Sequence, residues 1–130
     1  MSNTTNKQPL RIAIAGLGAI GKSIASSLAK GTVPGVVLTA VSAKHHDKAQ
    51  AFVASLGVPV KVLTLAELEP VADLVIECAP AALLPEIVSP FLKAKKQAIV
   101  LSVGALLFNQ NLIDMAQQEG GIIHVPTGAL

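Results

Sequence analysis

The chain has 130 residues, of which 52% are hydrophobic, enough for one domain with a single continuous core. Its formal net charge of +2, with three Phe and no Trp or Tyr, argues against nucleic-acid binding, which needs a basic surface and stacking platforms. No apolar run reaches the roughly 20 residues that span a bilayer, and the single cysteine excludes an internal disulfide. We therefore expect a soluble protein of the reducing cytoplasm, without a membrane partner.

Apolar runs alternate with helical periodicities along the chain. A polar, disordered lead-in is expected over residues 1–9, followed by one domain over residues 10–130. Strands are predicted at residues 11–15, 36–41, 58–63, 73–78, 98–102 and 122–125, and helices at residues 19–30, 48–56, 81–95 and 109–119. Because the strands lack polar alternation, the pattern predicts an α/β fold, a doubly wound parallel sheet of about six strands.

A few side chains refine these elements. Pro59 places the third strand near an edge of the sheet, since proline cannot donate to a central ladder. Asp47 is expected to cap the second helix, and Thr64 with Glu67 forms a capping box for a very short one. The only short basic cluster, expected at a solvated helix end, is Lys93, Lys95 and Lys96.

Residues 16–23, Gly-Leu-Gly-Ala-Ile-Gly-Lys-Ser, satisfy two phosphate-binding patterns at once. The spacing of Gly16, Gly18 and Gly21 is the dinucleotide fingerprint of a Rossmann domain. The same segment, ending in Lys22 and Ser23, is also the P-loop pattern of nucleotide triphosphatases. The first interpretation implies a nicotinamide cofactor, and the second implies triphosphate hydrolysis with magnesium.

Helical periodicity favours the dinucleotide. Ile20 is in phase with Ile24 and Leu28, so we expect a helix under way at Ile20 with these side chains on its apolar face. A P-loop would instead keep residues 17–21 extended around the phosphates and would need a magnesium carboxylate. The nearest candidate is Glu77, which is followed by Cys-Ala-Pro. The two residues that complete the P-loop pattern are then expected to be first-turn helix residues that face solvent.

The end of the second strand has no acidic residue where NAD would need one for its ribose hydroxyls. Ser42, Lys44 and His45 stand there and could contact a 2′-phosphate, which indicates NADP or dual use. A solvated loop beside a tolerant adenosine pocket explains the same residues equally well. Adjacent histidines rarely converge on one ion, so no metal site is predicted.

Three later segments carry a family resemblance: residues 73–80, Asp-Leu-Val-Ile-Glu-Cys-Ala-Pro; residues 100–106, Val-Leu-Ser-Val-Gly-Ala-Leu; and residues 124–130, His-Val-Pro-Thr-Gly-Ala-Leu. With the glycine loop, the chain resembles the N-terminal NAD(P)-binding domain of L-aspartate dehydrogenases, which are related to homoserine dehydrogenases. The resemblance covers residues 11–130. It implies a Rossmann-type fold and NAD or NADP as the cofactor. In the whole enzyme it implies oxidation of L-aspartate to iminoaspartate, which hydrolyses to oxaloacetate and ammonia or feeds NAD biosynthesis.

The resemblance also implies which residues meet the cofactor beyond Gly16 and Gly21. From the pyrophosphate to the nicotinamide end these are Gly18, Ala19 and Ile20; Cys78, Ala79 and Pro80; Ser102, Val103 and Gly104; and Gly128 and Ala129. All four groups lie in turns after strand ends, where α/β sheets bind ligands. Cys78 is expected to act as a small buried hydrophobe, and Glu77 and Ser102 are equally explained as satisfied polar groups.

Such enzymes carry a second, C-terminal domain that binds the amino acid and supplies a catalytic histidine. Since this chain ends at Leu130, we expect it to be the cofactor half, with weak NAD(P)(H) binding and no turnover by itself. A homodimer is compatible with the sequence. The alternatives are the cofactor domain of a homoserine dehydrogenase or another NAD(P)-dependent oxidoreductase, a stand-alone NAD(P)-sensing module, and a P-loop NTPase.

Overall fold

A computed structural model describes residues 8–126 of the chain. Six strands form one sheet: β1 Leu10–Ala15, β2 Val36–Ser42, β3 Lys61–Val62, β4 Leu74–Glu77, β5 Gln97–Val100 and β6 Ile122–His124. Their spatial order is β3-β2-β1-β4-β5-β6, and every neighbouring pair is parallel. The predicted doubly wound α/β fold is therefore confirmed. Most of the expected lead-in, residues 1–7, lies outside the described residues.

In the described part of the chain, five α-helices connect the strands: α1 Ala19–Ala29, α2 His46–Ala54, α3 Leu84–Lys93, α4 Val103–Leu107 and α5 Gln110–Glu119. Short 3-10 turns occur at Leu65–Glu67, Glu69–Val71 and Ala81–Leu83. None of the helices within residues 8–126 is long and apolar enough to cross a membrane.

Two apolar clusters hold helices against the two faces of the sheet. In β1, Ile12 and Ile14 join the cluster of α1 and α2, whereas Ala13 and Ala15 join the cluster of α3 and α5. Successive side chains of a strand point to opposite faces, so a strand covered on both faces must be apolar throughout. This is why the strands read as continuous apolar runs.

The sheet edge at β3 is confirmed, but the strand is much shorter than predicted. Only Lys61 and Val62 pair with β2, while the segment that contains Pro59 does not. The capping box is also confirmed, because the backbone N–H of Thr64 donates to Glu67 Oε1 at 2.9 Å.

Two local predictions were wrong. Helix α2 begins at His46, so Asp47 lies inside its first turn and does not cap it, although its charge still favours the helix dipole. Lys93 and Lys95 are exposed as expected, but Lys96 is half-buried and paired: its Nζ lies 2.7 Å from Glu69 Oε2 and donates to the Glu69 carbonyl at 2.8 Å. The pair ties a 3-10 turn to the segment that enters β5.

Arg11 and Asp73 join the amino ends of the two central strands β1 and β4. Arg11 Nη2 lies 2.8 Å from Asp73 Oδ1, Nε donates to Oδ2 at 3.1 Å, and the Arg11 backbone N–H donates to Oδ2 at 2.9 Å. The hydrogen bonds from the Arg11 side chain lower the pKa of the Asp73 carboxyl, and partial burial opposes them.

We expect Asp73→Asn to lower the melting temperature by a few degrees at pH 7. The folded-state pKa of Asp73 is depressed, so its stabilisation is present above the unfolded-state pKa of about 3.9 and is lost as pH falls through the folded value. The effect is modest because both side chains are partly exposed. Thermal unfolding of both proteins between pH 7 and pH 3 checks this. A difference that does not shrink toward pH 3 would contradict it.

Candidate functional site

A cleft of about 530 Å³ opens where β1, β2 and β4 reach their carboxyl ends. Its lining consists of Gly16, Leu17, Gly18, Lys22, Ser42, Ala43, Lys44, His45, Lys48, Ala49, Leu65, Cys78, Ala79, Pro80 and Leu83. From β1 the chain proceeds outward to β2 and β3, then returns to β4 on the other side. Open α/β sheets bind their ligands at such a reversal of strand order, and the volume suits a small-molecule site.

Two glycines of the loop are required by the protein itself. Gly16 has a φ of 105°, and a Cβ there would lie 2.5 Å from the Cys78 carbonyl oxygen. A Cβ on Gly21 would collide with the Gly16 carbonyl oxygen. The first glycine therefore makes the turn against the end of β4, and the last lets α1 pack closely on that turn.

Gly18 differs from both. Its φ of −77° suits any residue, and a Cβ there would meet no protein atom within 4 Å. Neither backbone conformation nor packing within residues 8–126 therefore requires glycine at this position. Gly18 is the N-cap of α1, whose first N–H groups have no partners inside the helix and favour an anion. Close approach of an anionic ligand is a reason to keep this position free of a side chain.

The geometry excludes a P-loop. Helix α1 begins at Ala19, and the Lys22 backbone N–H donates to the Gly18 carbonyl at 2.9 Å, so residues 17–21 do not form an extended cradle. Glu77, the nearest candidate for the magnesium carboxylate that a P-loop would need, is fully buried. Both of its oxygens accept hydrogen bonds from the segment after β5.

Ile20 is not a core residue, contrary to the prediction. Helix α1 is under way at Ile20 as expected, but this side chain is 63% exposed. The residues of α1 that face the sheet are Gly21 and Ala25, while Ile24 and Leu28 are only half-buried. Because Gly21 brings the helix so close to β1, the row that contacts the sheet is one of small residues. Ile20 lies 100° away from that row on the first turn.

The end of the cleft beside β2 is basic. Lys22, Lys44 and Lys48 line it together with His45, and no carboxylate is among the lining residues. Lys22 is exposed as predicted, and its Nζ lies 5.7 Å from the centre of the Phe52 ring. Lys48 was not among the predicted contact residues, because the second helix was predicted to begin two residues later than it does. A start at His46 brings Lys48 and Ala49 to the cleft.

Half of the predicted contact residues line the cleft: Gly16, Gly18, Ser42, Lys44, His45, Cys78, Ala79 and Pro80. Ala19 and Ile20 lie exposed on the first turn of α1, and Gly21 is buried behind the loop. Ser102 and Gly104 lie in the segment that follows β5, one strand further along the sheet. Gly128 and Ala129 are outside the described residues. The apolar walls of the cleft that were not predicted are Leu17, which stands at an unspecified position of the glycine motif, and Leu65 and Leu83, which lie outside every motif.

Cys78 is half-buried in the cleft rather than fully buried. Burial, and then the charge of Glu77, raise the pKa of its thiol to about 11. The thiolate is the nucleophilic form of cysteine, so this thiol is unreactive near neutral pH. The expectation of a small packing residue without thiol chemistry fits this environment.

Comparisons with known proteins show which family the chain resembles. The family described as the NAD-binding domain of homoserine dehydrogenase matches residues 16–126. L-aspartate dehydrogenase 3 of Bordetella bronchiseptica is 51% identical over 97% of this chain and 46% of its own length. L-aspartate dehydrogenase of Bradyrhizobium diazoefficiens is 48% identical over 100% of this chain and 46% of its own. A probable dehydrogenase of Thermotoga maritima has a similar structure, with a TM-score of 0.76 and 25% identity over 89% of this chain and 35% of its own.

The chain spans about half the length of the curated relatives it matches. The resemblance to L-aspartate dehydrogenases predicted from the sequence is confirmed over that half, as is NAD or NADP as the family's cofactor. The glycine loop, the cleft at the reversal of strand order and the family match converge on one assignment. The chain belongs to the family of homoserine dehydrogenase NAD-binding domains.

Proposed function

We propose that the cleft binds NAD(P)(H), with the pyrophosphate over Gly18 and the first turn of α1. The observation that carries this proposal is the open space around Gly18, where the protein itself does not require glycine. The described residues fit such a group: backbone N–H donors at a helix N-terminus face the pyrophosphate, and the cleft extends to the basic end of β2. The nicotinamide then lies toward the turns that follow β4 and β5.

We further propose that the cofactor is NADP in preference to NAD. An NAD site places a carboxylate on the ribose hydroxyls after the second strand, whereas a 2′-phosphate needs cations there. Lys44 and Lys48 supply cations, His45 lies beside them, and the lining contains no carboxylate. Hydrogen bonds from charged donors to a phosphate are about twice as strong as neutral ones.

For the whole protein we propose L-aspartate dehydrogenase activity, supported by relatives of 51% and 48% identity. When bound, the cofactor would supply the hydride acceptor for oxidation of the amino acid to iminoaspartate, with the accompanying proton released. The residues of this chain would hold and orient the dinucleotide. A second, amino-acid-binding domain, the substrate, a homodimer and a cytoplasmic location stay predictions. Reduction of NADP⁺ by the complete enzyme with L-aspartate, and not with L-homoserine, would separate this activity from that of a homoserine dehydrogenase.

Alkylation of Cys78 tests whether the cleft holds the dinucleotide. Cys78 is the only cysteine of the chain, so mass spectrometry of the modified chain reports this site alone. Because the thiol pKa is about 11, the rate with iodoacetamide is expected to rise about tenfold per pH unit between pH 8 and pH 10. Saturating NADPH is expected to slow the reaction at least fivefold at pH 9, whereas ATP with magnesium should leave it unchanged. Equal rates with and without NADPH, or protection by ATP alone, would contradict the proposed site.

A further inference from the structure

Glu77 is a buried carboxylate to which the proposed function assigns no role. It ends β4, and its side chain has no exposed surface. Its Oε1 accepts hydrogen bonds from the backbone N–H groups of Leu101 and Ser102, each at 2.9 Å. Its Oε2 accepts from the Ser102 hydroxyl at 2.6 Å. All three donors come from the two residues that follow β5.

The Glu77 side chain replaces the backbone ladder at the point where that ladder ends. Glu77 is the last residue of β4 paired with β5, opposite Val100. Beyond it the chain turns away, and the Cys78 backbone N–H donates to the Ala15 carbonyl of β1 at 2.8 Å. The next N–H groups after β5 therefore have no strand to pair with. The carboxylate accepts from them instead.

Burial of the Glu77 carboxylate carries a free-energy cost that the fold alone does not require. The other residues of β4, Leu74 to Ile76, are buried and apolar. An aliphatic side chain at position 77 would avoid the cost of taking a carboxylate out of water. Three hydrogen bonds to the charge offset that cost, and they fix the direction in which the chain leaves β5. What the carboxylate provides is a defined position for the turn from Ser102 into α4.

That turn lies beside the proposed cofactor. The turn from Cys78 to Pro80 lines the cleft directly, and Gly16 packs against its backbone. The segment that begins at Ser102 follows the adjacent strand at the same edge of the sheet. A dinucleotide with its pyrophosphate over Gly18 and its adenosine toward β2 extends its other half in this direction. The turn after β5 is thus the next surface that the cofactor meets.

We infer that Glu77 is a positioning residue for the nicotinamide half of the site, holding the turn after β5 through the backbone of Leu101 and Ser102. This inference rests on the proposed cofactor binding. Substitution of Glu77 is therefore expected to affect binding selectively. A misplaced turn weakens contacts with the nicotinamide half of the dinucleotide and leaves contacts with the adenosine half unaffected. A role in folding alone would instead alter both halves together or neither.

The test compares NADPH with 2′,5′-ADP, which lacks the nicotinamide, its ribose and the phosphate attached to that ribose, by calorimetric titration of the 130-residue chain. Glu77→Met keeps the volume and removes the acceptor. We expect about tenfold weaker NADPH binding, and 2′,5′-ADP affinity within twofold of the unsubstituted chain. Glu77→Gln is the matched control: its amide oxygen still accepts from both N–H groups and its NH₂ can donate to Ser102 Oγ. It should bind NADPH within about threefold of the unsubstituted chain.

Ser102→Ala keeps the inference falsifiable if Glu77→Met does not fold. It removes only the hydroxyl contact, and we expect about threefold weaker NADPH binding with unchanged 2′,5′-ADP binding. Equal changes for the two ligands, or none for either in a folded variant, would overturn the role of Glu77 and leave the proposed function intact. Failure of the unsubstituted chain to bind either ligand would overturn the proposed function itself.

Discussion

Gly21→Ala is expected to lower the melting temperature by roughly 10 °C and to abolish measurable cofactor binding. The added Cβ would collide with the Gly16 carbonyl oxygen. Because the Gly16 carbonyl oxygen is a backbone atom, no change of side-chain rotamer can relieve this contact. Helix α1 must therefore move away from β1, or the glycine loop must open. Overpacking of this kind costs about 3 kcal/mol or more, a large share of the stability of a small domain. Thermal unfolding and NADPH titration of the variant check both effects.

Gly18→Ala is the matched control for that substitution. It adds the same methyl group three residues earlier in the same loop. At Gly18 the φ is negative and no protein atom lies within 4 Å of the added Cβ. The melting temperature should therefore stay within about 2 °C, while NADPH affinity falls at least tenfold because the methyl group occupies the path of the pyrophosphate. Destabilisation by Gly18→Ala as large as by Gly21→Ala would contradict this division of roles.

Charge reversal at Lys44 and Lys48 is expected to weaken NADPH binding by at least about tenfold for each single variant. Both lysines line the cleft at the end of β2, where the 2′-phosphate is proposed. A hydrogen bond to a charged group contributes about 1.5–3 kcal/mol, which corresponds to about a ten- to hundredfold change in affinity. NADH lacks that phosphate, so its affinity should change less than about threefold in Lys44→Glu and Lys48→Glu. Fluorescence titrations of each variant with NADPH and with NADH give the ratio of the two affinities.

Lys30→Glu supplies the control for net charge. Lys30 is exposed at the C-terminal end of α1, about 16 Å along the helix from the glycine loop, and does not line the cleft. Lys30→Glu should leave the NADH and NADPH affinities within about twofold of those of the unsubstituted chain at physiological salt, where charges this far apart are screened. Equal losses of NADH and NADPH in Lys44→Glu would contradict a 2′-phosphate contact, since they would place the lysine on the pyrophosphate that both cofactors share.

The existence of the strands, the position of the glycine turn and the exclusion of a P-loop could be predicted because each depends on local pattern. Continuous apolar runs such as Ile12 to Ala15 indicate strands covered on both faces. Gly16 and Gly21 mark close backbone approaches whose partners are nearby in the chain or on the next strand. The prediction that helix α1 is under way at Ile20 is confirmed, although the accompanying prediction that Ile20 is buried was wrong. Periodicity located the helix, but closeness to the sheet decided which row is buried.

The remaining features depend on contacts between distant segments. Lys96 meets Glu69 across 27 positions, and Glu77 meets Ser102 across 25. Nothing in the local sequence of either pair indicates its partner. Lys48 was missed because helix α2 begins earlier than its expected cap, and α4 was missed because five residues show too little periodicity.

Titration of the 130-residue chain with NADPH and NADH, followed by nicotinamide fluorescence, tests the central claim most directly. We expect saturable binding of both cofactors at one site, tighter binding of NADPH, and at least about tenfold weaker binding of both in Gly18→Ala, with the melting temperature within about 2 °C of that of the unsubstituted chain. Absence of binding by a folded chain, or binding that Gly18→Ala leaves unchanged, would contradict the assignment of this loop to a dinucleotide.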